Sequence, residues 1–514
     1  MSKPYVFPNL TEADLNRLAE EIAFALLLGD VVALEGDLGA GKTTFARALI
    51  RALSGGTELE VPSPTFTLVQ SYQTQRFDVA HFDLYRLTDP EEVTELGLDP
   101  ALQRGIAVIE WPSRAADLLP RERITLTLSD DGAADLRTAT LEAEGPAVAR
   151  IARLAAIRAF TAANGWGGAE SRFSYLQGDA SARRYARLVK PDGQRAILMD
   201  SPRQPDGPAI RDGLPYSRIA HLAEDVRPFV AIADTLRSSG FSTPQIYGQD
   251  LASGLLLIED LGDAVFGAEL ARGTDQLALW TRATDTLVAL RQHRPAAQLP
   301  LADGSHHTLP LLDHGTLQIE TELLLDWYWP ALLGPPASAD ARHSFLALWN
   351  DAFSRLLDGP KGWVLRDYHS PNLIALDDRV PPRDVGIIDF QDALLGPEAY
   401  DLVSVLQDAR LDVPVEIETQ LLNRYTADVA RAEPGFDDAQ FRFAYAALGA
   451  ERNTKILGIF ARLAMRDGKR QYLAHIPRIW GYLARDLEHP GLSALKAWYD
   501  THLPPALRGK ALSI

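Results

Sequence analysis

Apolar positions change their spacing several times along the chain, and each change marks an element. Residues 11–28 repeat apolar side chains at helical spacing, with Thr11 and Asp14 as a capping pair. The run DVVALEG (30–36) is short, apolar and β-branched, which predicts a buried strand. A glycine-rich turn and the helical stretch TTFARALIRAL (43–53) follow. Further strands are predicted at FTLVQSY (66–72), DVAHFDLY (78–85), IAVIEW (106–111), ITLTL (124–128) and ATLEA (139–143), the last pair as a hairpin. Helical spacing returns over 147–166 and ends at a Gly-Trp-Gly-Gly joint. The pattern then restarts. FSYLQ (173–177), RYARLVK (184–190) and RAILMD (195–200) alternate like an antiparallel sheet, and a helix is predicted over 218–240 and a strand over 254–262. From about 274 to 356 and 414 to 500 the pattern is helical, interrupted by the short strands WVLRD (363–367) and VGIIDF (385–390).

This order predicts an α/β domain over 1–150 and a linker helix over 151–170. A two-lobed α+β domain over 171–514 follows, with a sheet lobe to about 265 and a helical lobe beyond. The length, 514 residues, suits about three packed bodies. With 51 basic and 69 acidic residues the net charge is −18, which disfavours strong direct binding of nucleic acid. The absence of cysteine excludes disulfide scaffolds, thiolate zinc sites and thiol nucleophiles. No apolar run has the length of a membrane span and no signal-peptide pattern opens the chain, so a cytoplasmic protein is expected.

The first candidate chemistry is Gly36-Asp37-Leu38-Gly39-Ala40-Gly41-Lys42-Thr43, between a strand and a helix. Glycines at this spacing let backbone N–H groups curl around phosphates. Lys42 reaches the β/γ oxygens, and Thr43, followed by Thr44, offers a hydroxyl to Mg²⁺. Phosphoryl transfer also needs a carboxylate near the metal and a residue that senses the γ-phosphate. Glu110 and Asp83 stand at strand ends, and Ser63 and Thr65 in a Pro-rich loop. Taken singly, Asp83 reads equally as a turn carboxylate, and Ser63 or Thr65 as a turn hydroxyl. Together GDLGAGKTT, PSPTF, HFDLYRL, ELGL and VIEWP, in this order, resemble the TsaE (YjeE) family of P-loop ATPases of tRNA threonylcarbamoyladenosine synthesis. The resemblance covers about residues 8–150. It implies that Lys42 and Thr43 hold phosphate and Mg²⁺, that Glu110 and Asp83 belong to the metal and catalytic site, and that Thr65 lies in a switch-like loop. It also implies partners, the threonylcarbamoyl-transferase complex subunits. A net charge of −11 over 1–150, from 13 basic and 24 acidic residues, agrees with contact to proteins rather than to tRNA.

The second candidate chemistry is Asp367 and Asn372 in D-x-x-x-x-N, followed by Asp389 at the end of an apolar strand. Asp367 suits a catalytic base for an attacking hydroxyl, and Asn372 and Asp389 suit metal ligands. Gly178 and Ser181 lie in a loop suited to cover a nucleotide, and Glu259-Asp260-Leu261 in a hinge whose backbone suits adenine. The whole resembles the aminoglycoside phosphotransferase (choline kinase-like) superfamily over 171–514. GDASARRYARL, AILMDSP, LLLIEDLGD, VLRDYHSPNL and NTKILGIFARL resemble its N-acetylmuramate/N-acetylglucosamine anomeric kinases. The resemblance implies ATP and Mg²⁺ as cofactors and transfer of phosphate to the sugar C1 hydroxyl during peptidoglycan recycling. The superfamily's third-strand lysine is missing, since Met199 and Asp200 stand there, so Arg183 and Arg184 become the candidates to clamp phosphate. Asp392, Tyr400, Arg452 and Asn453 are candidate sugar contacts. Two alternatives for this domain are a choline- or aminoglycoside-type kinase and a non-catalytic nucleotide sensor.

Overall fold

In the computed structural model the chain begins with an edge strand, β1 (Tyr5–Leu10), followed by α1 (Glu12–Ala25), the apolar run β2 (Val31–Glu35) and α2 (Lys42–Ser54). The remaining elements of this region are β3 (Val69–Tyr72), β4 (Asp78–Asp83), α3 (Glu92–Glu95), α4 (Leu98–Arg104), β5 (Gly105–Glu110), β6 (Ile124–Asp130), β7 (Arg137–Ala143) and α5 (Ala147–Ala163). The structure describes residues 4–56, 59–74, 76–130, 135–168, 170–176, 183–510 and 512. Thr11 and Asp14 form the expected capping box at the start of α1, each side chain bonded to the other's backbone N–H. The strands form a seven-stranded sheet in the order β1-β7-β6-β2-β5-β4-β3. β2 runs parallel to both β5 and β6, and β4 parallel to β5, so their carboxyl ends share one edge. Strands buried on both faces read as continuous apolar runs, which is why these were visible in sequence.

A second sheet is antiparallel, built from β8 (Arg172–Leu176), β9 (Arg184–Val189), β10 (Arg195–Asp200) and the strands Ile246–Asp250 and Leu255–Glu259. One face presents Phe173, Ala186, Leu188, Ala196, Leu198, Leu255 and Leu257. These join Phe24 of α1, Ile157 and Phe160 of α5, and Trp166 in one apolar core. Phe24 meets Phe173 edge-on at 5.3 Å. Polar ties reinforce the joint. Arg17 Nη1 donates to the Ser171 carbonyl at 2.7 Å, and Glu20 accepts the Phe173 N–H at 2.6 Å. The stretch expected as a linker over 151–170 is therefore a wall of this core. Residues 1–202 and 247–260 form one compact unit, and 203–246 with 261–514 the other. A sheet with one apolar face must bury it against some element, and here α1 and α5 serve.

Asp200, wholly buried, sits at this joint between Arg153 of α5 (2.7 Å) and Arg184 of β9 (2.5 Å). Its removal leaves two guanidinium groups facing each other without a counter-ion. Asp200→Ala is expected to lower stability by about 3 kcal/mol, the scale for breaking a buried pair. Urea unfolding followed by tryptophan fluorescence checks this.

The second unit is mostly helical. Its longest helix, Asp438–Asp467, is buried over most of its length. Around it pack His314–Leu323, Ala339–Leu357, Ala399–Leu406, Val415–Ala432 and Ile476–Asp486, while Gln276–Arg291 packs on Ala399–Leu406 and Val415–Ala432. Two small antiparallel two-stranded sheets stand among them, Lys361–Val364 with Leu394–Pro397 and, within the connection, Leu373–Ala375 with Val385–Ile387. The helix expected over 218–240 is broken into Tyr216–Ile219 and Arg227–Ser238. Pro228 lies in the first turn of the second helix, where its missing N–H leaves no intrahelical bond unmade. Among the described residues no helix is long and apolar enough to cross a membrane.

Candidate active sites

The first site lies at the carboxyl edge of the parallel strands. β2 ends in a tight loop that delivers the amino end of α2. Gly36 and Gly41 take φ of 137° and 104°, and a Cβ on Gly36 would lie 2.3 Å from the Leu128 carbonyl oxygen. Only glycine fits there. Lys42 Nζ donates to the carbonyls of Gly36 (2.7 Å) and Asp37 (2.8 Å) and lies 3.6 Å from the centre of the Trp111 ring. Burial lowers its pKa from the ordinary lysine value, against the pull of Glu110 and Asp83. Such a cation is poorly hydrated and ready to exchange loop carbonyls for phosphate oxygens.

Register brings the carboxylates together: Asp83 of β4 pairs directly with Glu110 of β5. Glu110 Oε2 accepts from Thr43 Oγ1 at 2.8 Å, and its Oε1 lies 2.9 Å from His81 Nε2. Asp83 accepts from Thr65 Oγ1 at 2.6 Å and from Ser63 Oγ at 3.4 Å. Lys42, Thr43, Thr65, Asp83 and Glu110 thus meet in one place, with Gly36, Asp37, Gly39, Ala40, Gly41 and Thr44 in or beside the loop. Among the described residues no group of three or more His, Asp or Glu forms a metal cage. Mg²⁺ takes one or two protein oxygens and completes its shell with phosphate and water. Thr43 and Glu110 are hard oxygen donors, already hydrogen-bonded to each other. Sequence reasoning missed His81 and Trp111. The alternation of β4 contains the signal for His81, since His81 and Asp83 occupy the same strand face two residues apart.

The second site is carried by the two small antiparallel sheets of the helical unit. Asp401, buried at the start of Ala399–Leu406, accepts the N–H groups of Leu365 (2.6 Å) and Arg366 (2.9 Å). This fixes the turn at which Arg366 adopts a φ of 72°. Asp367 follows. The Asn372 side chain donates to the Asp367 carbonyl at 2.9 Å, and the Asn372 carbonyl accepts from Ile388 N–H at 3.1 Å. Asp389, at a φ of 61°, lies on the segment tied there. Asp367, Asn372 and Asp389 therefore share one polar site. Asn372 and Asp389 offer hard oxygen donors that would hold Mg²⁺.

Burial, then the Asp389 and Asp392 carboxylates, push Asp367 up to about 6. A base is useful only unprotonated, so kcat/KM for hydroxyl phosphorylation is expected to fall as pH drops through this region. Asp392→Asn removes one raising charge and should move the acid limb to lower pH, as a pH–rate profile would record. Burial holds His369 down to about 4, so it is neutral at pH 7. Its Nε2 is 3.9 Å from Asp367.

Several expected contacts fall elsewhere. Gly178 and Ser181 lie outside the described residues, and Arg183 is half-buried just after them. Arg184 is not placed to clamp phosphate, because it is committed to Asp200. Asp260 is ion-paired with Arg187 at 2.7 Å, and Glu259 ends its strand. Leu261 packs with Ile374 and Leu376. Asn453 is wholly buried, bonded to Gln407 (2.7 Å) and Asp486 (3.1 Å); it holds helices together and does not face a sugar. Arg452 is likewise buried and donates to the Gln407 carbonyl at 3.3 Å. Asp392 accepts the Ala223 N–H at 2.6 Å. Tyr400 is buried with its hydroxyl 3.4 Å from Lys455 Nζ. Lys455 and Arg366 both pair with Glu320, a cluster that sequence reasoning did not anticipate.

Fold and sites define the class: a P-loop nucleotide hydrolase domain followed by a kinase-like phosphotransferase. The chain belongs to the phosphotransferase enzyme family through residues 172–436, and its residues 10–138 match the family of Threonylcarbamoyl adenosine biosynthesis protein TsaE. It is 39% identical over 367 residues to an N-acetylmuramate/N-acetylglucosamine kinase of Caulobacter vibrioides, covering 69% of this chain and 98% of that one. A Pseudomonas aeruginosa protein of the same name is 32% identical, covering 62% and 86%. Over 117 residues the chain is 43% identical to a tRNA threonylcarbamoyladenosine biosynthesis protein TsaE of Rickettsia felis, covering 23% of this chain and 68% of that one. It is a fusion of a TsaE-type ATPase domain and an N-acetylmuramate/N-acetylglucosamine kinase-type domain.

Proposed function

We propose that the helical unit's site transfers the γ-phosphate of ATP to the C1 hydroxyl of N-acetylmuramate or N-acetylglucosamine. Asp367 accepts the hydroxyl proton. The C1 oxygen bonds to the γ-phosphorus as the bond to the bridging oxygen of ADP breaks, giving the sugar 1-phosphate and ADP. Asn372 and Asp389 would hold Mg²⁺, which when bound would supply charge neutralisation at the phosphates. Positioning and charge stabilisation provide the rate, since phosphoryl transfer asks little covalent help of the protein. The observation that carries the reading is the placing of Asp367 beside Asn372 and Asp389, within a domain similar to named sugar kinases. The product would feed an enzyme that activates sugar 1-phosphates with a nucleotide. A panel of N-acetylmuramate, N-acetylglucosamine, choline and kanamycin, read by ADP release, tests it. Turnover is expected with the sugars; turnover of choline or kanamycin alone contradicts it.

We infer that the first site hydrolyses ATP in support of tRNA threonylcarbamoyladenosine synthesis, through the threonylcarbamoyl-transferase subunits. Leu38 in the phosphate loop and Phe66 beside Thr65 are 78% and 82% exposed, apolar contacts suited to a protein partner at the nucleotide site. Phe66→Ala should reduce ATPase stimulation by those subunits at least tenfold while basal hydrolysis persists, in a phosphate-release assay. A cytoplasmic location is part of this proposal, since both activities would draw on ATP.

A further inference from the structure

N-acetylmuramate differs from N-acetylglucosamine by a lactyl ether, which carries a carboxylate. A site that reads this difference needs a cation not already neutralised by the protein. The two cations that act directly on Asp367 fail that condition. Arg366 pairs with Glu320, and Lys455 lies 2.8 Å from the same carboxylate. Arg211 lies 2.6 Å and Arg342 3.5 Å from Glu322. Arg462 is different. Among the described residues it has no ion pair, and its buried Nε has no hydrogen-bond acceptor. Its guanidinium carbon is 5.9 Å from the centre of the Tyr216 ring.

Its place in the fold ties it to the catalytic loop. Glu451, Lys455 and Arg462 lie on the long helix Asp438–Asp467 at offsets that put them on one stripe. Lys455 stands at the Glu320–Tyr400 cluster, and Arg462 follows about two turns later. Tyr216 opens the short helix Tyr216–Ile219. The next residue, Ala220, accepts from Arg366 Nη1 at 2.8 Å through its carbonyl. Arg366 immediately precedes Asp367. The wall that starts at the base thus runs through Arg366 and Tyr216 to Arg462. Burial also lowers the Arg462 pKa from its ordinary value, although arginine stays charged. A partly desolvated guanidinium with no ion pair of its own, its nearest carboxylate Asp467 being paired with Arg466, favours a planar anion that can take two hydrogen bonds.

We propose that Arg462 is a specificity-determining residue of the kinase site, binding the lactyl carboxylate of N-acetylmuramate. This rests on the sugar-kinase reading above and deepens it. Its role is binding, with no part in proton or phosphoryl transfer. N-acetylglucosamine presents nothing to Arg462 and is phosphorylated without it.

The test is steady-state kinetics of the full chain and its Arg462→Gln variant on both sugars, with Arg462→Lys as the conservative control. Losing a charge-assisted hydrogen-bonded pair should raise KM for N-acetylmuramate about 10- to 100-fold. KM for N-acetylglucosamine, and kcat for both sugars, should stay within about twofold. Lysine should restore part of the N-acetylmuramate affinity. Turnover of N-acetylglucosamine by the variant reports that it is folded. Equal KM changes for the two sugars, or none for either, would overturn the assignment while leaving the sugar-kinase reading in place. Failure of the unmodified chain to phosphorylate either sugar would sink that reading, and this inference with it.

Discussion

Asp367→Asn is expected to lower kcat for sugar phosphorylation by about 10³-fold, within the range that general bases contribute. The substitution keeps the size of the side chain and removes its ability to take the hydroxyl proton. The loop should survive, because it is held by backbone groups: Asn372 donates to the Asp367 carbonyl, and Asp401 accepts from Leu365 and Arg366. KM for the sugar should therefore change little, and thermal unfolding should be unaltered. The acid limb assigned to Asp367 should vanish from the residual activity. Hydrolysis of ATP at the phosphate loop should continue unchanged. A kcat loss below tenfold with intact folding would mean that Asp367 is not the base.

Lys42→Ala is expected to lower ATP hydrolysis by the first site about 10²- to 10³-fold, the scale for removing one preorganised stabilising group. Lys42 is held by the Gly36 and Asp37 carbonyls and the Trp111 ring, all of which tolerate its loss, since carbonyls can turn to water. Removing a buried ammonium also relieves its desolvation, so the fold should not suffer. Sugar phosphorylation should stay within about twofold of the unmodified chain. Phosphate release without sugar, with ADP release in its presence, separates the two sites. Loss of both activities in this variant would contradict independent catalysis.

The chemistry was more legible in the sequence than the packing. The phosphate loop could be read because its backbone demands glycine where only glycine fits, as Gly36 does beneath Leu128. Asp83 and Glu110 could be read as strand-end carboxylates, and the parallel register places them side by side. The Asp367, Asn372 and Asp389 set was visible because metal-assisted phosphoryl transfer requires those groups at short separation. What escaped was decided by long-range contact. Nothing in AVARIARLAAIRAF says that Ile157 and Phe160 will cover Leu188 and Leu198 of another sheet. Arg184 was drawn from its loop position as a phosphate clamp, yet the buried Asp200 opposite it on β10 claims it. Asn453 looked like a sugar donor for the same reason: a polar side chain on a helix has no readable destination until its neighbours, Gln407 and Asp486, are known. The strands Leu373–Ala375 and Leu394–Pro397 are too short for alternation to register.

Regiochemistry tests the central claim most directly. The full chain is incubated with ATP, Mg²⁺ and N-acetylmuramate, and the product is followed by ³¹P and ¹H NMR. A phosphomonoester coupled to the anomeric proton, formed in step with ADP, is the predicted result. Phosphate attached at any other hydroxyl, or inorganic phosphate as the sole new signal, would contradict it.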